Sequence, residues 1–153
     1  MELTELNKGP NIEKNINLNR KFLQFKKLIS ELKKHEASNE IVAAINHHID
    51  KINSFSNSEK ELSKRIKRGQ SDILKLVEKE LNLVTKNHYR NTLLAVGIAT
   101  GVAVGITIGS STGNMSLLAM GITIGMAIGM AAGTSKDKKA KDSGKQLDLE
   151  IKN

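Results

Sequence analysis

From Asn91 to Ser135 the chain carries no ionisable side chain. Within that block glycine returns at every fourth position, first at Gly97, Gly101, Gly105, Gly109 and Gly113, then at Gly121, Gly125, Gly129 and Gly133. Charge is dense elsewhere, since 26% of all residues are Asp, Glu, Lys or Arg, so the block is a separate physical object. A hydrocarbon layer of about 30 Å is crossed by roughly 20 helical residues at about 1.5 Å each. The block has room for two such spans, near 92–110 and 115–134. Between them Ser110, Ser111, Thr112, Gly113 and Asn114 cluster as turn formers, through side chains that bond the backbone or tolerate positive φ.

A helix rotates by about 100° per residue, so glycines four apart form one slowly winding stripe along which two backbones can approach. Lipid supplies little hydrophobic force between helices, and faces of small residues are what permit their association. Odd positions from Ala95 to Gly109 and from Ala119 to Gly133 are all small, and the intervening positions are mostly bulky aliphatics. Gly and Ala/Thr residues therefore make two small stripes on nearly opposite sides. One suits the other arm of a hairpin, the second a neighbouring subunit. The same period of two also fits a β-strand. Helix is preferred, because an open two-stranded hairpin cannot satisfy its edge groups in lipid and a barrel would need several chains. A buried helical pair in a soluble protein is disfavoured, since nothing else in the chain is apolar enough to cover it.

These glycines resemble the glycine-zipper motif of two-span hairpin proteins, which include bacterial envelope proteins and channel or pore-forming proteins. The resemblance covers Gly97 to Gly133. It implies that Gly97, Gly101, Gly105, Gly109, Gly121, Gly125, Gly129 and Gly133 serve helix packing and oligomerisation. Many such envelope proteins are lipoproteins anchored through a cysteine near the start, and a chain without cysteine does not fit that version.

The expected fold is all-α: an amphipathic helical bundle followed by a transmembrane helical hairpin with glycine-zipper packing. Four segments are expected: a flexible N-terminus (1–11), an amphipathic three-helix region (12–90), the hairpin (91–135) and a basic mobile tail (136–153). Pro10 marks a helix start, and from Ile12 the residues Ile16, Phe22, Leu23, Phe25, Leu28, Ile29 and Leu32 recur mostly at threes and fours, giving one apolar face that ends near His35 to Ala37. Ser38 or Asn39 can cap a second helix carrying Ile41, Val42, Ile45, Ile49 and Ile52, with Phe55 at its end. Ser58 with Glu61 three residues on has capping-box spacing and opens a third helix, in which Leu62, Ile66, Ile73, Val77, Leu81 and Val84 continue the stripe towards the membrane.

Lys86, Tyr89 and Arg90 precede the apolar block, and Lys136, Lys138 and Lys139 follow it, where headgroups would lie. Both flanks are basic and the turn is uncharged, which by the positive-inside rule puts both termini in the cytoplasm. A bacterial inner membrane is expected, or a target-cell membrane if the protein is secreted. The first residues read as no secretory signal. The net charge is +8, densest at Lys64, Arg65, Lys67 and Arg68. Acids flank this cluster at Glu59 and Glu61 and no aromatic lies nearby, so anionic lipid headgroups are preferred as partner over nucleic acid, beside the bland reading of a solvated face.

Catalytic and metal patterns are missing. The adjacent His47 and His48 diverge by about 100° on a helix, and His35 and His88 stand in no recognised ligand spacing. No enzyme, cofactor or metal is expected. Three functional classes follow. The leading one is an oligomeric pore-forming or permeabilising subunit, in which Thr100, Thr107 and Thr123 either line a path or bond their own helix backbone. The second is an inserting toxin, secreted effector or translocator, similar in layout to colicin pore-forming domains and type III secretion translocators. The third is a membrane-anchored scaffold that recruits a cytoplasmic protein through residues 12–85.

Overall fold

A computed structural model describes residues 2–7, 12, 15–54 and 58–151, and every regular element of more than one residue among them is helical. The chain forms two units: residues 1–84 with 147–153, and residues 85–146.

The first unit contains α1 (Ile16–Leu32), α2 (Asn39–Asn53) and α3 (Glu59–Leu81). Its core is most of the predicted stripe: Phe22, Phe25, Leu28 and Leu32 from α1, Ile45 and Ile49 from α2, and Ile66, Ile73 and Val77 from α3 are all essentially inaccessible, whereas Ile16 and Leu23, expected on the same face of α1, are exposed. Each such side chain contributes about 1.5–3 kcal/mol on removal from water. The third helix touches both others.

The helix boundaries differ from the expectation in ways that have local causes. The first helix starts at Ile16 rather than Ile12, because Asn15, extended in its backbone, accepts the N–H groups of Asn17 and Leu18 with its side chain (3.1 and 3.2 Å) and caps the helix there. The expected start at Pro10 and the placement of Phe55 lie outside the described residues. Ser38 caps α2 as expected, accepting the Ile41 N–H. Ser58 does precede α3, but the capping box is absent. Glu61 takes the Lys64 ammonium at 2.9 Å instead, and a charged donor is a stronger partner than a neutral amide.

The third helix does not run on into the apolar block. It stops at Leu81, because Asn82 adopts a left-handed conformation (φ 55°), and Asn87 repeats that geometry (φ 59°) just before the next helix. Asparagine is among the few side chains that visit this region readily. Leu83 and Val84 are buried in the extended segment between them.

Two further expectations are corrected. Residues 2–7 of the supposedly flexible N-terminus are tied to α2: Thr4 N–H donates to Asn46 Oδ1 (2.8 Å), Asn7 N–H donates to Asn53 Oδ1 (2.9 Å), and Leu3 is buried. The segment expected as a mobile tail makes contacts as well. Lys136 to Asp142 belong to the last helix, and Leu147 and Leu149 are buried in the first unit's core. There the Leu147 N–H donates to Val84 O (2.9 Å), and the Asp148 N–H to Glu31 Oε2 (3.2 Å). The alternation of Leu147, Leu149 and Ile151 presents one apolar edge, and that edge is what docks.

Glu31, only 7% exposed, also accepts the Lys34 ammonium at 2.6 Å. That hydrogen bond, aided by the Asp148 N–H and opposed by burial, holds its carboxyl below the ordinary value of 4.5. A carboxylate with a lowered folded-state pKa contributes stability that is complete above its unfolded value and is lost as pH falls through the folded one. The first unit should therefore lose stability in acid below about pH 4.5. Glu31→Gln should flatten that part of the melting-temperature profile; an unchanged acid limb would remove Glu31 from the account.

Candidate functional site: an apolar helical hairpin

The second unit is built from α4 (His88–Thr112) and α5 (Ser116–Asp142). Both helices are longer than the expected spans, and each is long and apolar enough to cross a membrane. The turn contracts to three residues. Gly113, at φ 68°, closes α4, Asn114 donates its N–H back to Gly109 O (2.9 Å), and Asn114 Oδ1 accepts the Ser116 N–H (3.1 Å) as α5 begins. Glycine, with no Cβ to clash, takes that left-handed position most easily.

The two helices lie antiparallel with their glycines facing. A Cβ built on Gly97 would overlap the Gly125 carbonyl, and one on Gly101 would overlap that of Gly121. At Gly105 the obstacle is Leu118 Cα at 2.8 Å, at Gly129 the Leu93 carbonyl, and at Gly133 the Arg90 Cα. In every case the obstructing atom is backbone, which no rotamer change can move. Gly109 is looser, with Asn114 O at 3.2 Å. The eight glycines singled out in the sequence thus all face into the hairpin. Gly97, Gly101, Gly105, Gly109, Gly129 and Gly133 are buried, and Gly121 and Gly125 are partly so.

With glycine turned inward, the outer surface is aliphatic. Ile128 is 66% exposed and Val96, Val104, Met120 and Ile124 are each more than half exposed, unlike the mostly buried core helix of a water-soluble protein. The second small stripe, Ala95, Ala99, Ala103 and Thr107 on α4 with Ala119, Thr123, Ala127 and Ala131 on α5, is also exposed. Of the two readings offered for the threonines, the backbone one is found. Thr100 donates to Val96 O (3.0 Å), Thr107 to Ala103 O (2.9 Å) and Thr123 to Ala119 O (2.9 Å).

The open end of the hairpin carries a residue that the sequence reading passed over. No acid lies in the first turn of α4, and its N-cap Asn87 makes no side-chain capping bond. Asp137 of α5 does that work from the opposite helix: its two carboxylate oxygens accept the N–H groups of Tyr89 (3.0 Å) and Arg90 (2.9 Å). Asp137 is 7% exposed, and Gln146 Nε2 donates to its main-chain oxygen (3.2 Å). An anion here satisfies otherwise unpaired helix donors and meets the positive end of the helix dipole.

The expected interface residues gather around this end in different roles. Tyr89 is half-buried in the first turn of α4 under the Lys136 ammonium, 5.7 Å from its ring centre. Arg90 is half-buried and reaches Asn91. Lys86 is exposed in the turn before α4, and Lys138 and Lys139 are exposed on the last turns of α5. Among the described residues no cluster of His, Asp and Glu could hold a metal ion.

Comparison with protein-family models, with curated proteins and with solved structures gave no match.

Proposed function

We propose that the protein is a small integral membrane protein whose α4–α5 hairpin inserts as a pre-packed pair and self-associates through its outer Ala/Thr faces, holding the helical first unit at the cytoplasmic surface. The observation that carries this reading is the side-chain segregation of the hairpin. Its glycines are used for internal contact, while bulky aliphatics with no cover among the described residues face outward. In water such a surface invites aggregation, whereas in lipid it costs nothing. In the zipper reading the glycines fix the hairpin itself, and assembly falls to the opposite stripe.

The attachment of the hairpin supports the topology. Val84 and Leu147, the residues flanking the second unit, are hydrogen-bonded to each other in the first, so both arms must leave from and return to the same side. The basic flanks Lys86, Arg90, Lys136, Lys138 and Lys139 make that side the cytoplasmic one. Anionic headgroups are the natural counter-charge. Residues 12–85 remain the surface for a cytoplasmic partner.

Permeation is the second reading, favoured by the outward position of Thr107 and Thr123, each of which keeps an acceptor lone pair after bonding its own helix. Two measurements test these readings. Protein retained in membrane pellets through alkaline carbonate, with multimers captured by crosslinking in lipid, is the expected result; release by carbonate would end the insertion reading. Dye efflux from vesicles that is lost in Thr107→Val/Thr123→Val would establish the pore, and tight vesicles would leave the anchor.

A further inference from the structure

The first unit carries a site that the hairpin reading does not use. Between α2 and α3 lies a recess of about 290 Å³, in which His48 and Lys51 from one helix face Lys64, Arg65 and Arg68 from the other. The spacing explains the convergence, because Lys64 and Arg65 stand four and three residues before Arg68, on neighbouring positions of one side of α3. Gly69 sits at the floor and makes the recess possible. A Cβ there would already meet Ile52 Cδ1 at 3.4 Å and His48 Cβ at 3.9 Å, and any longer side chain would fill the space. Glycine is less favourable than alanine inside a helix, and here its missing side chain leaves the recess open.

The charge is unbalanced. Among the described residues that line the recess, Lys51, Lys64, Arg65 and Arg68 stand with two carboxylates, Glu61 and Asp72. Glu61 is engaged with Lys64 at 2.9 Å. That hydrogen bond, with smaller contributions from the charges of Arg65 and Arg68, holds the Glu61 carboxyl below its ordinary value. Two guanidinium forks one helical turn apart suit a group with several anionic oxygens, each fork binding two of them.

We propose that the α2–α3 recess binds a phosphate group, a phosphomonoester or diphosphate, with Arg65 and Arg68 as the principal ligands and Lys51 across from them. The same chemistry is offered by a soluble phosphorylated compound and by a phosphomonoester lipid headgroup. The site does not depend on the hairpin crossing a membrane.

The full chain in nonionic detergent is titrated with inorganic pyrophosphate against sodium chloride of equal ionic strength. Saturable binding of one pyrophosphate per chain is expected. Arg65→Gln/Arg68→Gln should weaken it about tenfold or more, while Lys26→Gln/Lys27→Gln, which removes the same charge from exposed positions on α1, should stay within about twofold. Gly69→Leu should block the recess with no change of charge. Should that variant fail to fold by circular dichroism, Arg65→Lys/Arg68→Lys, which keeps the charge and loses the forks, should show a loss between wild type and the Gln pair. Equal losses in the two Gln pairs, or binding no better than chloride, would overturn the site. So would a single-stranded oligonucleotide that displaces pyrophosphate at lower concentration than pyrophosphate itself. Binding to phosphatidylcholine vesicles that rises with added phosphatidic acid and falls in the Arg pair assigns the headgroup as source. Vesicle binding indifferent to phosphatidic acid assigns the soluble compound.

Discussion

Gly125→Val should force α4 and α5 apart and destabilise the hairpin by about 3 kcal/mol or more. The new Cβ would lie on the Gly97 carbonyl, with Gly101 Cα only 3.1 Å away, so relief requires moving a whole helix rather than turning a side chain. Overpacking of close-packed cores costs about 1–3 kcal/mol even where side chains can adjust, and here nothing adjustable is in contact. Separation also loses the contacts at Gly101 and Gly121, because one rigid pair of helices carries them all. Ala132→Val adds two carbons at an exposed position of α5 outside both small stripes and should shift stability by no more than about 0.5 kcal/mol. Spin-label distances between the outer faces of the two helices in micelles, with detergent titration of the helical signal, measure both effects. An unaltered distance in Gly125→Val would mean that the two backbones are not in contact.

Asp137→Ala should destabilise the hairpin by about 2–3 kcal/mol from its open end. Two amides at the start of α4 would lose a charged acceptor, and a nearly inaccessible carboxylate would leave a gap against the first turn. Helix capping alone is worth about 1–2 kcal/mol, and hydrogen bonds to charged groups about 1.5–3 kcal/mol. Asp137→Asn keeps one acceptor oxygen and loses the charge, so its effect should fall between wild type and alanine. Asp142→Ala, an exposed carboxylate five residues further on, should be silent. Amide exchange at Tyr89 and Arg90 is the direct readout; protection that survives in Asp137→Ala would refute the cap.

Which parts of this molecule could be read from the chain follows from how local each cause is. The amphipathic faces of α1 to α3 were readable because one period recurs within each helix, and Phe25, Ile49 and Ile73 fall where that period puts them. The apolar hairpin was readable because it lacks charge, and its turn because loop-favouring residues cluster from Ser110 to Asn114, although α4 takes the first three of them. What stayed hidden depends on segments distant in sequence. Nothing near Leu147 announces that it would pair with Val84, and nothing near Glu31 points to Asp148. The break at Asn82 was missed because asparagine is only mildly unusual inside a helix, while the left-handed turn it makes is decisive. Asp137 had a signal that went unused. It stands four residues after Gly133, on the same repeating face as Gly125 and Gly129, and the lysines beside it drew attention to a basic tail instead. Likewise Gly69 reads as a soft point in α3 until Ile52 and His48 are seen against it.

The burial of Leu147 and Leu149 in the first unit carries a consequence for biosynthesis. A ribosome makes α1, α2 and α3 first, yet two of the side chains that complete their core emerge only after the second apolar arm. If the hairpin inserts as proposed, it does so while the amino-terminal helices still lack those two side chains. On that reading, the first unit's core closes only once the second arm has returned, so a chain whose arms had not returned would leave that core incomplete.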